Sequence, residues 1–244
     1  MKAFFKAILY TPLFNLLVFF SWLVPGHSVG FAIIFLTLLV RLVLWVPNAK
    51  AMRAQLYMRS HQDQVKALTE KYPDPKERST AQMAYYKEHG INPLAGCLPL
   101  LIQLPILIIL YRVFIAGIHD IRPDLLYSFT PHLATVNAHF LGINLANKDR
   151  FFLPIVAGLL QLVQTRYNQR LMPVSPDAGD VSSMMTKQMM FLFPAMTYFI
   201  GSTLPAGLSL YWATTTLFQL GQQVYITKTY QPTSQRVEVT VRKK

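Results

Sequence analysis

Residues 35–45 read FLTLLVRLVLW, and Arg41 is the only charge in that stretch. A guanidinium stays ionised in proteins and carries five donors but no acceptor. At the centre of a bilayer it costs about 2.5–3.5 kcal/mol on insertion scales, so its presence there points to a use. No Asp or Glu occurs in the apolar segments 31–48, 94–115, 151–169, 187–204 or 206–226, which excludes a carboxylate partner from within them. Arg41 is therefore expected to face water inside the membrane, the alternative being a purely structural role against backbone carbonyls. There it would attract anionic groups through a field strengthened by low-dielectric walls.

Other polar side chains fall at a similar depth when residues are counted at 1.5 Å each from the segment ends. They are Gln103, Gln161, Gln164 one helical turn deeper on the same face, and Thr214, Thr215 and Thr216. Four segments thus bring polar groups to one level, the pattern of a hydrated groove. Hydrogen bonding between helices accounts equally well for Gln103 or the threonines taken singly. Signals for other chemistry are missing: there is no G-x-x-x-x-G-K-[ST] and no H-E-x-x-H. His27, His61, His89, His119, His132 and His139 are scattered through loops and expected to be solvated. No catalytic residue, metal or cofactor is expected. Cys97 is the only cysteine, so an intrachain disulfide is excluded.

The elements that must hold these residues follow from composition. The 244 residues are 52% hydrophobic and 14% charged, against about 25% charged in soluble domains. Such a chain lacks the polar surface to cover itself, and a bilayer core needs about 20 helical residues per crossing. The five apolar segments are expected to be spanning helices of one all-α membrane domain over 1–244, with no room for separate soluble domains. The turn TLPAG at 203–207 is tight enough to force the last two into a hairpin. Pro99, Pro105 and Pro194 lie within spans and are expected to kink them. MMTKQMMFLFPAM brings four methionines to the start of the fourth span, a composition suited to varied apolar partners, although ordinary packing explains it as well.

The net charge of +12 is not spread evenly. If all five segments span, one side carries sixteen Lys and Arg, in 49–93, 166–187 and 226–244, and the other carries four. The positive-inside rule then puts 49–93 and the tail 227–244 in the cytoplasm. Because the charge follows topology, no specific nucleic-acid partner is expected. Within 49–93, KYPDPKE supplies Asp74 as N-cap, Pro75 at the first helical position and Glu77, predicting two antiparallel helices near 50–71 and 75–89. Residues 4–24 have two readings. Lys2 and Lys6 favour a sixth span; Thr11 as N-cap followed by Pro12 favours a shorter interfacial helix over 12–24. No A-x-A-like cleavage site follows, so the segment is read as retained.

Three stretches, NPLAGCLPLLIQLPILIILY (92–111), LPAGLSLYW (204–212) and EKYPDPKERSTAQMAYYKEHGINP (70–93), resemble the YidC/Oxa/Alb family of membrane protein insertases. AIIFLTLLVRLVLWVP (32–47) is similar to that family's arginine-bearing span, and the likeness runs from about residue 12 to 226. It resembles a short bacterial member without the large extracytoplasmic domain of Gram-negative ones. The resemblance implies a five-helix core around a hydrophilic groove open to the cytoplasm, a cytoplasmic helical hairpin and an interfacial helix at 12–24. It implies insertion of nascent membrane proteins into the bacterial plasma membrane without nucleotide hydrolysis, with the Sec translocon and the ribosome as candidate partners. By motif position it makes Arg41 the groove arginine, Gln164 a groove glutamine and Trp212 the aromatic after LPAGLSLY; Gln103 in LIQLP transfers less directly. TTT at 214–216 departs from the Ser-Asn pair of many members, and the moderately basic tail weakens the case for ribosome binding. The alternative reading is a secondary transporter using Arg41 to bind an anionic solute. Against it, the spans lack a carboxylate for ion coupling and show no inverted repeat.

Overall fold

The computed structural model describes residues 6–92, 98–119, 122–133, 135–171 and 181–230; for 98–102, 104, 116–119, 171 and 181–190 it describes the backbone alone. Cys97, the first residues of the expected span 94–115, the side chains of the four methionines at 184–190 and the tail beyond 230 lie outside these limits.

The first helix, α1 (Thr11–Leu23), continues a π-helical turn over Lys6–Tyr10. Tyr10 already has helical angles (φ −67°, ψ −53°), so Thr11 is not an N-cap as the sequence suggested. Pro12 has no N–H to give and its ring crowds the carbonyl four residues back, and a widened turn accommodates both effects. The outcome is one apolar helix over Lys6–Leu23, 18 residues with mean hydropathy 1.4. Among the described residues it is the one unbroken helix long and apolar enough to cross a membrane.

α2 (Val29–Val43) ends five residues before the expected limit and turns by 61° into α3 (Trp45–Ser60). Pro47 explains the break: in the first turn of α3 it offers no N–H to the carbonyl of Val43. The predicted helix near 50–71 is divided at His61 into α3 and α4 (Gln62–Lys71). α5 (Pro75–Glu88) starts as predicted, with the Asp74 carboxylate accepting from the N–H groups of Lys76 and Glu77 at 3.0 Å each.

α6 (Leu98–His119) contains Pro105 and leads to a loop the sequence left unassigned. That loop carries a small antiparallel ladder, β1 (His139–Phe140) and β2 (Ile143–Asn144), the one departure from all-α structure among the described residues. α7 (Phe152–Leu171) is capped by Asp149, which accepts from the N–H groups of Phe151, Phe152 and Leu153. α8 (Val181–Thr203) and α9 (Ala206–Thr229) form the expected hairpin. A Cβ added at Gly201 would come within 2.7 Å of Ser209 Oγ, so the two helices meet at glycine distance.

The apolar core joins α1, α2, α6 and α9 through Phe14, Leu17, Ile33, Leu36, Leu110 and Tyr211. It lies beneath a cap of loops at one end of the bundle. Asn15 fixes that cap: its amide donates to the carbonyls of Thr11 and Leu125, and its oxygen accepts from Tyr127 N–H and the Thr130 hydroxyl. Backbone bonds Val29 N–H to Asn137 O, Ala206 N–H to Asn147 O and Gly207 N–H to Leu145 O tie the ladder to the starts of α2 and α9.

Candidate functional site

Arg41 lies in the last turn of α2, twelve residues and about 18 Å from its first. The bend after Val43 makes that turn a helix C-terminus, where unpaired carbonyls favour a cation. Its guanidinium donates to Gln103 Oε1 on α6, and the Gln103 amide donates to Tyr211 Oη on α9. One chain of hydrogen bonds thus joins three helices. The arginine is 3% exposed, so the structure encloses it where the sequence had it facing water. Both its partners in the chain are neutral. Among the described residues the one ion pair is Arg122 with Asp124, remote from this site. A buried charge with only neutral acceptors is under-compensated.

A second polar group lies between α7 and α9. Gln161 donates to Gln164 Oε1 at 3.4 Å, and Gln164 donates to Gln219 Oε1 at 3.3 Å. One turn further on, the Gln223 amide donates to Asn168 Oδ1. Gln222 reaches across to the carbonyl of Trp45 at 3.1 Å, the first residue beyond the bend, and so ties α9 to the start of α3. Close by is a cavity of about 20 Å³ lined in part by Met52, Asn168, Gln223 and Thr227, enough for a single water.

Four buried polar atoms along this region have no partner among the described residues: Asn48 Nδ2, Thr215 Oγ1, Gln222 Oε1 and Gln223 Oε1. Orphaned groups of this kind cost about 1–3 kcal/mol each unless water reaches them.

The sequence-selected residues therefore separate into two sets. Arg41 and Gln103 meet; Gln161 and Gln164 meet each other one helix away. Thr215 is buried on α9 one turn from Tyr211 and one turn from Gln219, between the two sets. Thr214 bonds back to the carbonyl of Leu210, and Thr216 is buried. Trp212 is half-buried against the apolar core.

Sequence reasoning missed Tyr211, Gln219, Gln222, Gln223 and Asn168. The signal was available: Tyr211, Thr215, Gln219 and Gln223 recur every fourth residue and form one polar ridge along α9. The histidines also need correction. His61 and His89 are not separately solvated but stand with ring centroids 5.5 Å apart at the base of the α4–α5 hairpin, His89 stacked on Tyr85 at 4.0 Å. Each ring points Nδ1 at the carbonyl four residues before it, Tyr57 and Tyr85 respectively. Two imidazoles are too few for a stable metal centre, and no group of three or more His, Cys, Asp or Glu is placed to hold an ion among the described residues.

Comparison with known proteins places this geometry in context. A family model described as 60Kd inner membrane protein matches residues 19–234. The membrane protein insertases YidC of Francisella tularensis subsp. novicida (strain U112) and subsp. tularensis (strain WY96-3418) are each 36% identical over 234 residues, covering 91% of this chain. The chain spans 38% of the length of those relatives. A solved structure described as an active YidC insertase crystal structure with the first transmembrane domain resolved superposes with a TM-score of 0.62 at 28% identity. It covers 94% of this chain and 50% of the other.

Proposed function

The chain belongs to the 60Kd inner membrane protein family, and from that premise we propose that it is a membrane protein insertase whose working charge is Arg41. The observation that carries this reading is the arginine's enclosure with only neutral partners among the described residues. A nascent segment bearing Asp or Glu offers what Gln103 does not, a charge-assisted acceptor about twice as strong as a neutral one. The arriving carboxylate displaces Gln103 from the guanidinium and releases its bond to Tyr211. That exchange loosens α2, α6 and α9 where they are stapled together. The substrate's apolar segment then leaves the bundle for lipid, and burial of its apolar surface drives the step. No nucleotide is required.

The route to Arg41 follows the α9 ridge. The unpartnered atoms of Asn48, Thr215, Gln222 and Gln223 favour water along this path. Such a wet seam, flanked by Gln161 and Gln164, shortens the hydrocarbon that a polar segment must cross. In this topology the five apolar segments span, with the hairpin 49–93 and the tail in the cytoplasm of a bacterial inner membrane. α1 lies in the outer interface. Support comes from the loop it meets: Asn15 bonds residues 125–130, and the Asp124 carboxyl is held below the usual carboxylate range by Arg122 first, with Lys6 among the smaller causes. A helix crossing the membrane would carry Lys6 away from that loop. Nascent membrane proteins and bilayer lipid are the partners on this reading, with the Sec translocon and the ribosome as further candidates.

The test is insertion of a small membrane protein with an acidic outer segment by reconstituted protein. Arg41→Lys should retain most of the activity, whereas Arg41→Ala and Arg41→Glu should lose at least tenfold. Equal insertion by Arg41→Glu overturns the electrostatic role.

A further inference from the structure

We propose that the tip of the β1–β2 hairpin is a lipid anchor, seated by Leu141 in the outer leaflet beside α2. The two residues linking the strands, Leu141 and Gly142, have φ of +50° and +79°. Positive φ at both central residues is the type I′ pattern, which favours Asn, Asp or Gly at the first of them. Leucine gains nothing there for the turn and bears the strain of a left-handed backbone. Its side chain is also 73% exposed, so no packing inside the protein repays that strain. Strain held at an exposed residue is a reason to look for something the residue touches outside the chain.

The direction of the hairpin says what that is. Asn137 pairs with Ser28 in a parallel bridge, so the strand runs in the same sense as the chain entering α2. Three residues later Phe140 has advanced along the helix: its ring meets Phe31 edge-on at 5.2 Å, and a Cβ added at Gly30 would collide with it. The tip thus points along α2 towards Arg41, into the bilayer on the proposed topology, and away from outer water. Phe31 and Phe35 on the same helix are 47% and 42% exposed, and they continue the apolar surface that Leu141 begins. The base is held at both ends by the backbone bonds to α2 and α9, so the tip has a fixed depth. An apolar side chain at fixed depth, pointing inward beside an exposed phenylalanine face, fits acyl chains.

The inference rests on the membrane topology proposed above but not on insertase activity, and its test keeps the two apart. With Cys97 replaced by serine, Leu141→Cys in the full chain is labelled with an environment-sensitive fluorophore and reconstituted into phosphatidylglycerol–phosphatidylethanolamine vesicles. Lys148→Cys serves as the aqueous comparison. The label at 141 should emit at shorter wavelength. It should be quenched several-fold more by lipids spin-labelled near the headgroup end of the acyl chain than by iodide, with position 148 reversed. Iodide quenching at 141 equal to that at 148 overturns the proposal. So does a blue shift that fades as the protein-to-lipid ratio falls, which would assign the tip to a second copy of the chain. Leu141→Asn, which relieves the turn and removes the apolar anchor, should still fold and should weaken the blue shift of a label placed on the neighbouring Gly142→Cys in the same vesicles; an unchanged shift overturns the anchor.

Discussion

Asn15 and Gln222 are both buried amides reaching from one helix to a neighbouring segment, and the structure treats them in opposite ways. Asn15, under the loop cap, has both donors and its oxygen engaged in four hydrogen bonds. Gln222, beyond the bend, has one bond to Trp45 and an oxygen with no partner among the described residues. Asn48, Thr215 and Gln223 are likewise incomplete. Under the loop cap the buried amide is fully satisfied; beyond the bend it is only half so. On the proposed function this asymmetry would let water enter the seam from one end alone.

The comparison is broken most severely at Asn15. Asn15→Leu strands the Leu125 carbonyl, the Tyr127 N–H and the Thr130 hydroxyl together. It should cost about 3 kcal/mol, because each stranded buried group costs about 1–3 kcal/mol and some will find water. A fall in the thermal midpoint in detergent, with faster exchange of amides in 125–130, checks it. Gly30→Ala attacks the same end from α2. The added methyl overlaps the Phe140 ring, and relocating that ring should cost about 1–3 kcal/mol, as overpacking does. Loss of hairpin protection with α9 unaffected is the expected readout. Thr215→Val sharpens the contrast from the other side. It removes an unpartnered hydroxyl at constant shape, so stability should change by less than about 1 kcal/mol. Insertion should nevertheless slow if water follows this ridge. A destabilisation as large as that of Asn15→Leu would mean that the two ends are not different in kind.

Depth counting found Arg41 and Gln103 because charge and amide in an apolar run are conspicuous whatever the fold. It places Arg41 in mid-helix because depth does not register that Pro47 deprives the Val43 carbonyl of a donor, which ends α2 and puts the arginine in its last turn. The α9 ridge was missed for another reason. Tyr211 and the glutamines lie in a helix of mixed composition, where fourfold spacing is meaningful only once the neighbouring helices are known. Asp74 and Pro75 announced the start of α5 through purely local chemistry. The pairing of His61 with His89 needed the hairpin to close, and the ladder at 139–144 is too short for alternation to register. Local signals were legible; encounters between distant segments were not.

α2 has fifteen residues before its bend, whereas α8 and α9 have twenty-three and twenty-four. At 1.5 Å per residue these are about 22 Å against about 35 Å, on either side of a hydrocarbon core near 30 Å. On the proposed topology the protein therefore presents the bilayer with a collar of unequal height. Lipids flanking the arginine-bearing helix must compress to match it, and the resulting hydrophobic mismatch would make the membrane thinnest where a polar segment has furthest to travel.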